Sequence, residues 1–346
     1  MRIFKKIGSL KITFFMLLVI AFSSILGTLI PQGQNNQFYI QKYGLETGRI
    51  ILFFQADDFF NSIYYNMLLF CLGLNLLFCT VNSFKLVLLK DRRKLAIFLL
   101  HCGVLVVFLG ALVSKFTKQS QRYTLFADEK VVLHDENAEI IFKQFSMEYY
   151  PGSQTPKEYR SRVELVEKGV LKKEYLIRVN HPLRYKGFSF YQSSFEVLAD
   201  VEIRIKHRNK VIWEGFWEHG RPLQLSGENT LRFEMKHFLP DVSVDKQGRI
   251  LLRSYILGNA AMLISVYREK ETVYDQWVFP SGENMAGLNR GEGIFEFEVK
   301  RIIPVYATII QVIKDPGLDF IMSGFALIFC GMLLLLVYRC NRVFNR

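Results

Sequence analysis

Residues 92–113 read RRKLAIFLLHCGVLVVFLGALV. Three consecutive bases give way to a long apolar run, Leu95–Val113, in which His101 is the only side chain that titrates near neutral pH. About 20 mainly apolar residues cross the hydrocarbon core of a bilayer, so this run predicts a membrane-spanning helix with bases at one end. Three further stretches pass the same test: Ile12–Ile30, Ser62–Phe84 and Leu318–Tyr338. The first ends in Thr28-Leu29-Ile30-Pro31 rather than at a small-residue cleavage site, and its apolar run is long for a signal peptide. It reads as a retained anchor.

The charges then orient these spans. Arg2, Lys5, Lys6 and Lys11 precede the first; Lys85, Lys90, Arg92, Arg93 and Lys94 separate the second from the third; Arg339, Arg342 and Arg346 follow the fourth. Only Asp91 offsets them. Residues 116–316, by contrast, carry 29 Lys/Arg against 27 Asp/Glu. The chain's net charge of +12 therefore resides almost wholly in three short segments, and the positive-inside rule predicts that these are cytoplasmic. The expected arrangement is a multi-pass plasma-membrane protein with both termini in the cytoplasm. Because the basic balance is accounted for by topology, nucleic acid is not an expected partner.

Between the third and fourth spans the pattern changes. VEIRIK (201–206), LRFEMK (231–236) and FEFEVK (295–300) alternate apolar and charged residues, the signature of half-buried antiparallel strands. Turn signals lie at Glu167-Lys168-Gly169, Arg208-Asn209-Lys210 and Asp245-Lys246-Gln247-Gly248. The predicted architecture is a polytopic α-helical membrane protein with four transmembrane helices (12–30, 62–84, 95–113, 318–338). A large extracytoplasmic all-β domain, a sandwich or open barrel, stands between helices 3 and 4. Its parts are an N-terminal membrane region 1–113, the β-rich domain 114–316, in two lobes dividing near residue 200, and a closing helix with a basic tail, 317–346. The five cysteines (71, 79, 102, 330 and 340) all fall outside the β-rich region, which thus offers no thiol to an oxidising compartment.

Gly103 and Gly110 recur seven residues apart in the third span, and Gly317, Gly324 and Gly331 do so at the fourth. Each set lines one helical stripe where another backbone can approach, although glycine is also simply common in membrane helices. His101 lies about 10 Å past Lys94 along the helix and roughly 160° around it from Gly103. An ionisable group at that depth is a functional hypothesis by default. Imidazole ligates haem iron well, so one reading is a haem held against another membrane subunit; the other is a hydrogen bond to Asn75 or a carbonyl. His134, His181, His207, His219 and His237 form no close pair with metal-ligand spacing, and His237 falls on the apolar face of its expected strand. There is no Cys-x-x-Cys-His, phosphate loop or nucleophile elbow, and no catalytic residue is expected.

Four groups of residues in order carry a family resemblance. They are Gly27-Thr28-Leu29-Ile30-Pro31-Gln32 with Tyr43-Gly44; Asn61-Ser62-Ile63-Tyr64-Tyr65 with LNLLFC (74–79); NHPLRYKGFSFYQ (180–192); and Lys314-Asp315-Pro316-Gly317 with Gly324-Phe325. Together with the span count they resemble the ResB/CcsB family of System II cytochrome c biogenesis over nearly the whole chain. The resemblance implies a non-catalytic subunit that helps hold and export haem. It would work with a CcsA-type haem-handling membrane protein, apocytochrome c and a thioredoxin-like exported reductase. Only Trp213, Trp217 and Trp277 occur, with no Trp-Trp-Asp cluster, so the chain is similar to an unfused CcsB half. On this resemblance His101 is the candidate transmembrane axial ligand to haem iron, and His181 shapes a turn. A transporter or export subunit, or an extracytoplasmic sensor, is the competing class.

Overall fold

Helices carry all four of the long apolar runs. The computed structural model describes residues 8–87, 92–225, 230–245, 247–268, 271–280 and 295–344. In it, α1 (Leu10–Leu29) is followed by two short helices, α2 (Asn36–Tyr43) and α3 (Leu45–Phe53), and a 3-10 turn at Ala56–Asn61. Then come α4 (Ile63–Val87) and α5 (Arg92–Thr117), and α6 (Gly317–Phe344) after the strands. At 1.5 Å per residue even the 20-residue α1 measures about 30 Å, and all four long helices are apolar enough to cross a membrane. Several helix ends run a turn or so beyond the apolar stretches, because backbone hydrogen bonding continues through polar flanks. Of the charges used to orient the chain, Arg2, Lys5, Lys6, Lys90, Asp91 and Arg346 lie outside the described residues, as does Lys246 of the third turn.

The chain divides into two compact units, one made of the helices and the other of Gln119–Lys314. In the helical unit α5 and α6 pack through glycine. A Cβ on Gly103 would lie 2.6 Å from Ile328 Cγ1 and 2.8 Å from the Gly324 carbonyl oxygen. One on Gly324 would lie 2.8 Å from the Gly103 oxygen. Gly110 faces Gly317 in the same way, and Gly331 meets Ala96 and Leu100. The seven-residue spacing therefore is an interlocked antiparallel seam, which settles that reading in favour of packing. At its end Asp315 caps α6: one carboxylate oxygen accepts the Gly317 N–H at 3.0 Å and the other the Ser114 hydroxyl at 2.6 Å.

The second unit is antiparallel throughout. One sheet joins β1 (Gln119–Leu125), β15 (Phe295–Lys314), β7 (Phe188–His207) and β6 (Leu183–Tyr185), with β8 (Lys210–Trp217) also on β7. A second runs β2 (Lys130–Leu133), β3 (Ala138–Tyr149), β4 (Pro156–Glu167), β5 (Val170–Arg178). A third runs β14 (Glu271–Val278), β13 (Ala261–Arg268), β10 (Leu231–Leu239), β9 (Leu223–Leu225). A hairpin pairs β11 (Asp241–Val244) with β12 (Ile250–Ser254).

Two separate apolar cores result. Ile140, Phe142, Val163 and Ile177 pack with Phe190 and Ile310 in the first. Phe233, Met262 and Ile264 pack with Val201, Ile203 and Phe295 in the second. The 20-residue strands β7 and β15 thus run through both lobes, which meet partway along the pair rather than at a linker. Between the cores lies a buried polar knot: Ser161 Oγ donates to Gln192 Oε1 at 2.5 Å and Gln192 Nε2 donates to Thr308 Oγ1 at 3.0 Å.

Hairpin chemistry accounts for the turns. Lys168-Gly169 and Arg208-Asn209 adopt positive φ, as tight hairpins require. One expectation is corrected: His237 is exposed. A bulge between Met235 and His237 shifts the alternation, so Phe238 turns inward in its place.

Candidate functional site

His101 sits in α5 with its ring half-buried, and its Nδ1 is buried without a hydrogen-bond partner. Nδ1 therefore takes part in no bond to Asn75 or to a carbonyl. Thr13 instead donates its hydroxyl to Asn75 Oδ1 at 2.6 Å, tying α1 to α4. Because Ala96, Gly103 and Gly110 face α6, the rotation of 100° per residue puts His101 on the opposite stripe, with Leu105, Phe108 and Leu112. Those three line an apolar groove of about 580 Å³ between α4 and α5, bounded on α4 by residues such as Phe70 and Leu74. Lys115 stands at one end, donating to Asn66 Oδ1 at 2.8 Å. His101 lies one turn beyond Leu105 on that stripe. The arrangement presents an imidazole, otherwise unused by the fold, in apolar surroundings.

The other motif residues have structural work. Gln32 is a clamp: its Nε2 donates to the carbonyls of Gly27, Ile30 and Ala56 at 2.8–2.9 Å, while its Oε1 accepts the Phe59 N–H. Pro31 follows the end of α1, and its carbonyl accepts the fully buried Tyr39 hydroxyl at 2.6 Å. Gly27 leaves room for the Phe59 ring. Gly44, at φ 84°, turns the chain between α2 and α3. Asn180 and Lys186-Gly187 take positive φ, and His181 bridges back to Arg178 across the first of these turns.

One histidine of the β unit has a partner far from it in sequence. Asp200 Oδ1 lies 2.7 Å from His219 Nδ1 and also accepts the His219 N–H at 2.8 Å, with the Phe126 ring 4.7 Å away. Nothing in the spacing of residues 200 and 219 announces that pair; it depends on β7 and β8 forming a hairpin. Among the described residues no group of three or more His, Cys, Asp or Glu could hold a metal ion.

Electrostatics in the β unit are those of a solvated face. Arg204 and Lys300 bond to Glu214 and hold its carboxyl down to about 2. Lys206 and Arg204 lower Glu298 in the same way. These groups lie along β7, β8 and β15, away from either core.

The chain is 24% identical to the cytochrome c biogenesis protein CcsB of Prochlorococcus marinus (strain NATL2A), over 94% of this chain and 86% of that protein. It is 22% identical to the CcsB of Synechococcus sp. (strain CC9311), over 95% and 86%. A solved structure, the cytochrome c heme lyase CcmF, aligns with 95% of this chain at 10% identity and a TM-score of 0.30. This chain spans only 35% of that longer one, and a likeness so slight carries no argument. A family model described as the ResB-like family matches residues 10–92 and 90–249, which takes in α1 through α5 and the strands as far as β11. The Gly27–Gln32 clamp and the Asn180–Gln192 turn-and-strand both fall inside that match, and the chain belongs to the ResB-like family.

Proposed function

We propose that this chain is a membrane subunit of cytochrome c biogenesis that helps hold haem and pass it outward for attachment to apocytochrome c. One observation carries the site: a half-buried imidazole with an orphaned nitrogen, His101, within the apolar run Leu95–Val113 of α5. Family membership and relatives named as cytochrome c biogenesis proteins support the setting. An imidazole nitrogen supplies an axial bond to haem iron, and apolar walls suit the porphyrin. The α4–α5 groove on the same stripe is a surface of that character.

In this reading the basic segments lie in the cytoplasm of a bacterium, the β unit lies outside, and the four long helices cross the plasma membrane. Haem is cargo. A CcsA-type membrane protein supplies the haem-presenting half, with a thioredoxin-like exported reductase keeping apocytochrome thiols reduced. This chain is non-catalytic, contributing the imidazole and the external platform. The competing readings as an export subunit or a sensor have no feature in their favour beyond four spans and an outer domain.

Purified with its partner, the complex shows a Soret band; His101→Gly weakens it and added imidazole restores it. An unchanged spectrum removes His101 from the site. Deleting the gene abolishes covalent c-type cytochromes by haem stain, and normal levels of all of them end the assignment.

A further inference from the structure

β15 follows one edge of β7 along its whole length, from Phe295 opposite His207 to Lys314 opposite Phe188. The other edge is occupied only at its ends. β6 pairs with Phe188–Phe190, and β8 with Val201–His207. Between them the ten residues Tyr191–Asp200 have no strand partner on that side, and no other backbone bonds to their N–H or C=O groups outside the sheet pairing among the described residues. The Asp200 carboxylate accepts the His219 N–H at one end, and the Ser194 carbonyl accepts Gln192 Nε2 at 2.8 Å. Ten extended residues measure roughly 33 Å, and every second one turns its N–H and C=O toward the gap. Such a row is a template for an added strand.

The gap is open to solvent at its centre: Ser193, Ser194 and Glu196 are exposed. Ser193 is the extra residue of a bulge, since Ile309 faces Ser194 and Ile310 faces Gln192. Beside it lies a cleft of about 250 Å³ lined by Ser193, Ser194, Phe195, Tyr159, Phe238 and Tyr255, among others. Aromatic faces with hydroxyl rims accept mixed side chains from a strand lying alongside. Glu196, in mid-gap, has no ion-pair or hydrogen-bond partner among the described residues, although most other acids of this unit do.

The flanks select the occupant. A free outer edge would admit the edge strand of another folded sheet. Here β6 and β8 stand in line at both ends, so a strand carried by a rigid sheet is blocked, while a flexible chain can thread in. We propose that Tyr191–Asp200 is a docking slot for an extended, unfolded polypeptide segment, which adds as a strand, places apolar side chains in the cleft and sets a basic side chain against Glu196. That the segment belongs to apocytochrome c rests on the function proposed above; the slot itself does not.

The test uses the full chain in lipid nanodiscs with a photoreactive benzoylphenylalanine at Ser194, or at Asn209 in the distal β7–β8 turn as control. The probe is a 12-residue peptide of alternating apolar and polar residues with a central lysine. Two further versions are N-methylated at one or the other alternate set of amides. Saturable crosslinking at Ser194 is expected, lost at least tenfold for one methylated register and kept for the other. Glu196→Lys weakens the lysine peptide several-fold and favours its glutamate counterpart. Crosslinking no greater than at Asn209, or indifferent to both methylation patterns, overturns the slot. Peptide capture by a chain whose deletion leaves c-type cytochromes normal upholds the slot and removes its link to apocytochrome. Loss of cytochromes without capture overturns the slot and leaves the proposed function standing.

Discussion

The helical unit and the β unit draw on the same apolar residue types and arrange them in opposite senses. In the β unit Phe233, Ile203 and Val163 are wholly buried, while charged side chains line the outside. Along the long helices Leu, Ile and Phe side chains point outward, and what is buried against a neighbour is glycine, alanine or a small polar group such as Asn75 or Thr80. Each unit turns outward what its surroundings tolerate. A unit cohering through backbone approach gains little from burying leucine, because a hydrocarbon solvent offers leucine as much. A unit in water gains about 25 cal/mol for each Å² of apolar surface it hides.

The largest effect expected from breaking this contrast is in a core. Phe233→Ala in the second β core costs about 3–5 kcal/mol, read as a lowered midpoint for proteolysis of that lobe in the intact protein. Next comes a matched pair. Leu18 of α1 and Val211 of β8 are 52% and 51% exposed. Leu18→Asp costs about 2.5–3.5 kcal/mol of membrane insertion, measured as the inserted fraction, if lipid surrounds it. Val211→Asp, opposite Lys206, changes stability by no more than about 1 kcal/mol. Equal tolerance at both positions would refute the contrast. Gly103→Leu, whose side chain would enter the space of Ile328, costs about 1–3 kcal/mol; crosslinking between cysteines placed across the α5–α6 seam reports the separation.

The smallest effect concerns the charged face. Glu214 titrates lower in the folded protein than the ordinary carboxylate value of about 4.3, because Arg204 and Lys300 bond its ionised form. Its stabilising contribution is therefore complete above pH ~4.3 and is lost as the pH falls through about 2. Because the pair is solvent-exposed, Glu214→Gln should move the melting temperature at neutral pH only slightly and flatten part of its decline in acid. A large shift at neutral pH would mean that this face is shielded from water.

Much of this was legible in the chain, for physical reasons that also mark where legibility stopped. The alternations at 201–206, 231–236 and 295–300 lie in β7, β10 and β15, because a half-buried strand must alternate. The seven-residue glycine spacing pointed to a packed seam without deciding it, because glycine is common in membrane helices and only the facing helix shows where backbones approach. His101 stood out as the one imidazole in an apolar run. What alternation could not disclose was the length of β7 and β15. Bulges at Ser193 and Lys300 reset the phase, and the aromatic residues Phe195 and Tyr306 between the cores break the polar–apolar rhythm. The bulge before His237 misdirected that residue for the same reason. The open edge of β7 was hidden because it depends on which side a strand a hundred residues later will occupy.

That distant strand has a consequence for how the protein is made. β1 is completed by residues 308–314, and both cores require parts of β15, which follows the other strands of the unit among the described residues. The second core is incomplete without Phe295 and the first without Ile310 and Val312, so each lobe waits on a strand far along the chain from its other parts, a topology of high contact order. Nascent chains stalled before residue 295 should be degraded as one unfolded whole, leaving no protected N-terminal lobe, and the interval before closure is when this protein most needs a chaperone.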